Sequence, residues 1–120
     1  MNKPSQNPFI PAIRGILDTY RSERNFKIHF ICSLLVVVLG FWVRLSAADW
    51  RWIVGCIALV FSLELLNTAI EAVVDLVSPE YHPLAKKAKD AAAGAVLIGT
   101  IFSGIVGALV FLPKWGICLF

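Results

Sequence analysis

Three stretches of almost unbroken apolar sequence dominate the chain, from about Ile28 to Leu45, Trp52 to Val77 and Ala91 to Leu112. Each can supply the ~20 residues that a helix needs to cross ~30 Å of hydrocarbon, so the pattern predicts three transmembrane helices over 28–45, 52–77 and 91–112. Ahead of them, Ile13, Ile16, Leu17 and Tyr20 recur at the spacing of one helix face, while Arg14, Asp18 and Arg21 share another. That arrangement predicts an amphipathic surface helix over 10–27, lying in the membrane interface. Residues 1–9, with Pro4, Ser5, Pro8 and two Asn, read as a loose N-terminus. The first 27 residues are too polar for a cleavable signal peptide, and one membrane domain of the all-α class accounts for the whole pattern.

Composition agrees with the hydropathy pattern. Of 120 residues, 58% are hydrophobic and 16% charged, whereas soluble domains run at about 45–50% and about 25%. The net charge of +3 is small, and without a nucleic-acid-reading motif the few basic residues argue against a nucleic-acid partner. Their distribution is more informative. Eight of the eleven Lys and Arg precede the first span or lie between the second and third, which puts the N-terminus and the 78–90 loop in the cytoplasm and the C-terminus outside. Trp42, Trp50, Trp52 and Trp115 then gather at the outer boundary as an aromatic belt. Cys32, Cys56 and Cys118 sit in apolar runs without metal-ligand spacing, so neither a disulfide framework nor a zinc site is expected.

The third span carries Gly99, Ser103 and Gly107 at four-residue intervals, the small-residue stripe along which helix backbones approach closely. Three helices alone make a thin bundle, and oligomerisation is expected.

The second span departs from its apolar surroundings at Glu64, Asn67, Glu71 and Asp75. At about 100° per residue these four positions fall within roughly an 80° sector of the helix. Counting from Trp52, Glu71 lies near the cytoplasmic interface and Glu64 about 10 Å deeper. Acids inside a membrane are costly and face protein or water. Three readings fit such a stripe: an interhelical hydrogen-bond network, a small oligomeric ion or proton transporter, or a site for metal-assisted chemistry. In the last, Mg²⁺ is shared between carboxylates and substrate phosphates, and a deeper acid acts as base on a lipid head group. The stripe stops near mid-bilayer, where a transport path would continue. Glu23 and the Lys86, Lys87, Lys89 group stand on the same cytoplasmic side, and these facts favour the third reading. No GxxxxGK[ST] or GxGxxG is present, so a nucleotide site must be built differently. His29, at the entry to the first span, reads as an interfacial polar residue, and Asp49 and Arg51 are close enough to pair.

The stretch ELLNTAIEAVVD, residues 64–75, resembles the prokaryotic diacylglycerol kinase family, small integral membrane lipid kinases that include undecaprenol kinase. The resemblance extends through EYHPLAKKAKDAAAGAVLI and back to RGILDTYRSERNFKIH, roughly residues 14–112. FSLELLNTAIE and EYHPLAKKAKDAAAGAVL look more like the undecaprenol-kinase branch. It implies a homotrimer in a bacterial inner membrane, with active sites shared between subunits at the cytoplasmic interface, and transfer of phosphate from ATP to a lipid's primary hydroxyl with Mg²⁺. The lipid is expected to be undecaprenol, with diacylglycerol as the alternative. Carried over by position, Glu64 would be the general base that meets the lipid hydroxyl, and Asn67 would order the site. Glu71 and Glu23 would hold the metal and, through it, the nucleotide. Glu80, Tyr81 and His82 would contact the nucleotide, and Lys89 with Asp90 its phosphates. Asp75 receives no role.

Overall fold

The structure, a computed structural model, describes residues 7–116. Four α-helices follow one another: α1 (Phe9–Ser22), α2 (Arg24–Trp42), α3 (Ala47–Val77) and α4 (Pro83–Phe111), closed by a 3₁₀ turn at Leu112–Trp115. The second, third and fourth are long and apolar enough to cross a membrane.

Helix boundaries differ from the hydropathy pattern in three places, each for a local reason. The expected surface helix over 10–27 stops at Ser22. Glu23 is extended at φ −110° and ψ 115°, so 24–27 form the first turn of α2. The loop expected over 78–90 shrinks to 78–82. His82 accepts the Leu84 N–H on Nδ1 at 3.1 Å, and Pro83 occupies the first helical position, where a missing N–H costs nothing. The polar run KKAKD therefore lies on a helix. At the other end, α3 starts at Ala47 because the Ser46 side chain accepts the Asp49 N–H at 3.1 Å. This N-cap satisfies one of the orphan donors of the first turn.

The turn between α2 and α3 is built without glycine at its critical position. Leu45 N–H bonds to Gly40 O at 3.1 Å and Arg44 N–H to Phe41 O at 3.3 Å, with Arg44 at φ 59°. This is the left-handed cap that normally recruits glycine. Gly40 is needed instead for closeness: a Cβ there would stand 2.8 Å from the Trp50 ring. Trp50 also packs on Phe41 at 4.8 Å, so it is a structural wedge, whereas Trp42 and Trp52 remain exposed.

The helices form a slab of 54 × 38 × 20 Å, about two helix diameters thin. The buried core is correspondingly small and lies beside the α2–α3 turn, where Leu45, Ile53, Cys56, Val106, Val110 and Phe111 cluster. Asp49 and Lys114 pair across that end at 3.4 Å, in place of the expected Asp49–Arg51 contact. Large apolar side chains such as Leu35, Val38, Ile98 and Ile105 face outward, as they do where lipid is the solvent. The small-residue stripe of α4 is divided. Gly99 meets Leu63 of α3 so closely that a Cβ would lie 2.5 Å from Leu63 Cδ1, whereas Gly107 has open space. Ser103 and Gly107 line a 440 Å³ cavity between α2, α3 and α4.

Candidate active site

The polar residues of α3 sit at successive depths along one side of the helix, and each meets a different neighbour. Deepest is Glu64, only 4% exposed. Its Oε1 lies 3.1 Å from Nε2 of His29 on α2. One turn earlier on each helix, Phe26 and Phe61 pack with ring centroids 5.1 Å apart, which fixes the approach of α2 to α3 at this level. The intact carboxylate is thus buried within a single chain, which the thin-bundle argument did not anticipate. His29 is a residue that sequence reasoning passed over as interfacial.

Above Glu64, Asn67 Nδ2 donates to Glu71 Oε1 at 3.1 Å, and both residues are half-buried. Asn67 Oδ1 is buried and has no partner. The i, i+4 spacing brings these side chains together on one face. The amide orients the carboxylate and offers its own oxygen alongside. Glu23 occupies the extended residue between α1 and α2, half-buried, and its side chain does not cap α2. One turn before it, Thr19 is buried, and α1 faces Leu65, Thr68, Ala69 and Ala72 of α3 across a 460 Å³ cleft.

Asp75 carries the stripe out of the apolar segment and pairs with Lys89 of α4. Lys89 lies in the polar opening turns of α4, ahead of the apolar run that starts at Ala91. The hydrogen bond to Asp75 raises its pKa above the ordinary lysine value; slight desolvation opposes this, and the charges of Asp75 and Glu71 reinforce it. The bridge requires the ammonium form. It is therefore complete below the ordinary lysine pKa and lost only as pH climbs through the raised one, so Lys89 is a fixed cation at neutral pH.

Asp75, Lys89, Glu80, Tyr81, His82 and Asp90 all line one 360 Å³ cleft at the α3–α4 turn. The five positions carried over as nucleotide contacts are therefore neighbours. Lys89 and Asp90 do not pair with each other, because adjacent residues on a helix point about 100° apart; Asp90 pairs with Lys86, one turn back. Ser78 Oγ donates to Glu80 O at 2.9 Å and tightens the turn. Tyr81 is 79% exposed, so its ring is free to meet a ligand.

Among the described residues, no three His, Cys, Asp or Glu side chains converge on one point. The metal ligands carried over by resemblance, Glu71 and Glu23, are both carboxylates, and the unpartnered Asn67 Oδ1 lies one turn from Glu71, so the donors on offer are all oxygen. Such a set suits a hard divalent cation that completes its shell with water and phosphate oxygens, as Mg²⁺ does. It is a poor fit for a metal that needs sulfur or imidazole.

Comparison with known proteins agrees with this arrangement. The family model described as prokaryotic diacylglycerol kinase matches residues 11–111. The undecaprenol kinase of Bacillus subtilis is 54% identical over 106 residues, which cover 88% of this chain and 86% of that protein. A diacylglycerol kinase of Synechocystis is 44% identical over 103 residues, 85% of this chain and 59% of the relative. That of Escherichia coli K12 is 34% identical over 103 residues, 86% and 84% of the two chains. A match that spans nearly the whole described chain, on a fold with three helices able to cross a membrane, shows that this chain belongs to the prokaryotic diacylglycerol kinase family and is a lipid kinase.

Proposed function

We propose that this lipid kinase transfers the γ-phosphoryl group of ATP to the primary hydroxyl of undecaprenol at the cytoplasmic face of a bacterial inner membrane. The observation that carries the reading is continuity. The α3–α4 cleft, the Asn67–Glu71 pair and buried Glu64 follow one another down a single side of α3, from water into the apolar layer. ATP is water-soluble and the acceptor is not, so a site that joins the two must span this gradient.

In this reading Glu80, Tyr81 and His82 receive the nucleotide in the cleft, and Lys89 and Asp90 arrange its phosphates. Lys89, held by Asp75, gives the phosphates a fixed positive charge. Glu71 and Glu23 would hold Mg²⁺, with Asn67 fixing Glu71 through its amide. Bound there, the ion supplies charge neutralisation on the phosphate oxygens, the main requirement of phosphoryl transfer. Glu64 accepts the lipid hydroxyl proton as the hydroxyl oxygen bonds to the γ-phosphorus and ADP departs. Its depth matches an alcohol anchored by an apolar chain. The α1 helix, with Ile13, Leu17 and Tyr20 uncovered, lies in the interface in this picture. Three chains assemble around shared sites, with the N-terminus and the 78–82 turn in the cytoplasm and the C-terminus outside.

Undecaprenol is preferred over diacylglycerol because identity to the undecaprenol kinase, 54%, exceeds that to the two diacylglycerol kinases, 44% and 34%. The test is competition between equal amounts of the two lipids in mixed micelles, with labelled ATP and Mg²⁺. Label is expected mainly in undecaprenyl phosphate, with the rate abolished by chelator and restored by added Mg²⁺. Label confined to phosphatidic acid would reverse the substrate assignment. Ion conduction in liposomes without phosphorylation of any lipid alcohol would return the stripe to transport.

A further inference from the structure

His29 is a polar side chain on a membrane-spanning helix that the mechanism above does not use. It is 22% exposed and comes within 3.1 Å of Glu64 Oε1 through Nε2. A carboxylate as buried as Glu64 can only accept hydrogen bonds, and leaving it without a donor in an apolar layer is expensive. Asn67 gives its amide hydrogen bond to Glu71, and Lys86 and Lys89 are paired at the cleft. Among the described residues, His29 is therefore the polar group placed to serve Glu64 as donor, with Nε2 3.1 Å from Oε1.

We propose that His29 is a positioning residue for Glu64: its Nε2–H holds Oε1, so that the second carboxylate oxygen is presented to the lipid hydroxyl. The inference rests on the reading of Glu64 as the base. The helices are already locked at this level by Phe26 and Phe61, so the hydrogen bond sets the carboxylate's rotation and leaves the approach of the helices to the rings. No proton passes to His29. Glu64 takes the hydroxyl proton, and the histidine donates before and after transfer. His29 also lines the 440 Å³ cavity that continues toward Ile53 and Phe111, so the held carboxylate stands next to space of apolar character.

Chain geometry supplies a sharp test. Glutamine carries its amide nitrogen the same number of bonds from Cα as histidine carries Nε2, and asparagine falls one bond short. His29→Gln is expected to keep kcat within about threefold of the parent. His29→Leu and His29→Asn are expected to lower it about tenfold or more while KM for ATP stays within about twofold, since only the acceptor side of the reaction is disturbed. Glutamine donates but does not titrate, so its rescue separates positioning from a proton relay; a kcat for His29→Gln as low as that of His29→Leu would overturn the proposal. So would parental kcat in both His29→Leu and His29→Asn while Glu64→Gln is inactive. If Glu64→Gln itself kept its rate, the base assignment would fail first and independently of His29. Thermal melts of each variant in detergent confirm that rates are compared on folded protein. Should His29→Leu fail to accumulate, the Gln and Asn pair decides the matter alone.

Discussion

The two ends of the molecule are built on opposite rules. At the end that holds the α2–α3 turn, helix caps, a Trp wedge and a small apolar core join α2, α3 and α4 beside a 440 Å³ cavity, and the charged pair Asp49–Lys114 links the start of α3 to the 3₁₀ turn. At the end that holds the α3–α4 turn, clefts of 360 Å³ beside that turn and 460 Å³ between α1 and α3 open, and hydrogen bonds and ion pairs join the polar side chains. The core cluster and most of the polar side chains thus occupy opposite ends of the bundle. The contrast predicts that substitutions at the α2–α3 end change stability and spare catalysis, and that those at the α3–α4 end do the reverse.

The largest effect is expected at Glu64. Glu64→Gln keeps shape and removes the base, so the phosphorylation rate should fall on the order of 10²–10⁴-fold. Stability should hold or rise, because a neutral amide is cheaper to bury than a carboxylate. Paired measurements of lipid phosphorylation and thermal unfolding in one detergent check both halves. A residual rate within a few-fold of the parent would remove Glu64 from the chemistry.

The converse case is Gly40. A methyl group there would enter the Trp50 ring, which Phe41 backs at 4.8 Å and which cannot swing aside cheaply. Overpacking costs about 1–3 kcal/mol, and the better helix propensity of alanine returns about 1 kcal/mol. Gly40→Ala should therefore lose up to about 2 kcal/mol in unfolding experiments, with kcat per folded molecule unchanged. A fall in kcat without a fall in stability would show the two ends to be coupled.

Asp75 refines the picture of the α3–α4 end. Asp75→Asn releases Lys89 from its fixed place in the cleft, and the expected outcome is a three- to fivefold rise in KM for ATP with kcat little altered. Because the pair is solvent-exposed, melting should barely move. In the parent, this contribution should stay constant through neutral pH and decline only above the ordinary lysine range, since Asp75 raises the Lys89 pKa. Steady-state kinetics at several pH values would show an earlier loss if the bridge were immaterial.

Much of this was legible from sequence because a membrane simplifies the code. Apolar run length locates spans, and helical spacing puts Glu64, Asn67, Glu71 and Asp75 on one face. What sequence could not supply were relations between helices. Nothing in the spacing of α2 says that residue 29 meets residue 64, so His29 looked like any interfacial polar side chain. Asp75 had no role until Lys89, fourteen residues on, was seen beside it. The break at Glu23 has no Gly or Pro to announce it, and Arg44 takes a left-handed conformation that composition assigns to glycine. Hydropathy leaves 78–90 outside the third span, since its Lys residues are apolar only in their stems, but Pro83 suits the first turn of a helix, and α4 does begin there.

The helix caps give the finest version of the comparison, because the same device occurs at both ends. Ser46 caps α3 beside the α2–α3 turn and His82 caps α4 at the cleft, each accepting a backbone N–H at 3.1 Å. Loss of such a cap costs about 0.5–1 kcal/mol, so Ser46→Ala and His82→Ala should lower stability to a similar small extent. Their kinetics should diverge. Ser46→Ala leaves KM for ATP alone, whereas His82→Ala removes a ring from the cleft wall as well as a cap and should raise KM several-fold. His82→Asn separates the two functions, since asparagine caps well but offers no imidazole. Recovery of stability with KM still raised is the result expected of a residue that both starts α4 and meets the nucleotide. Recovery of both together would reduce His82 to a cap.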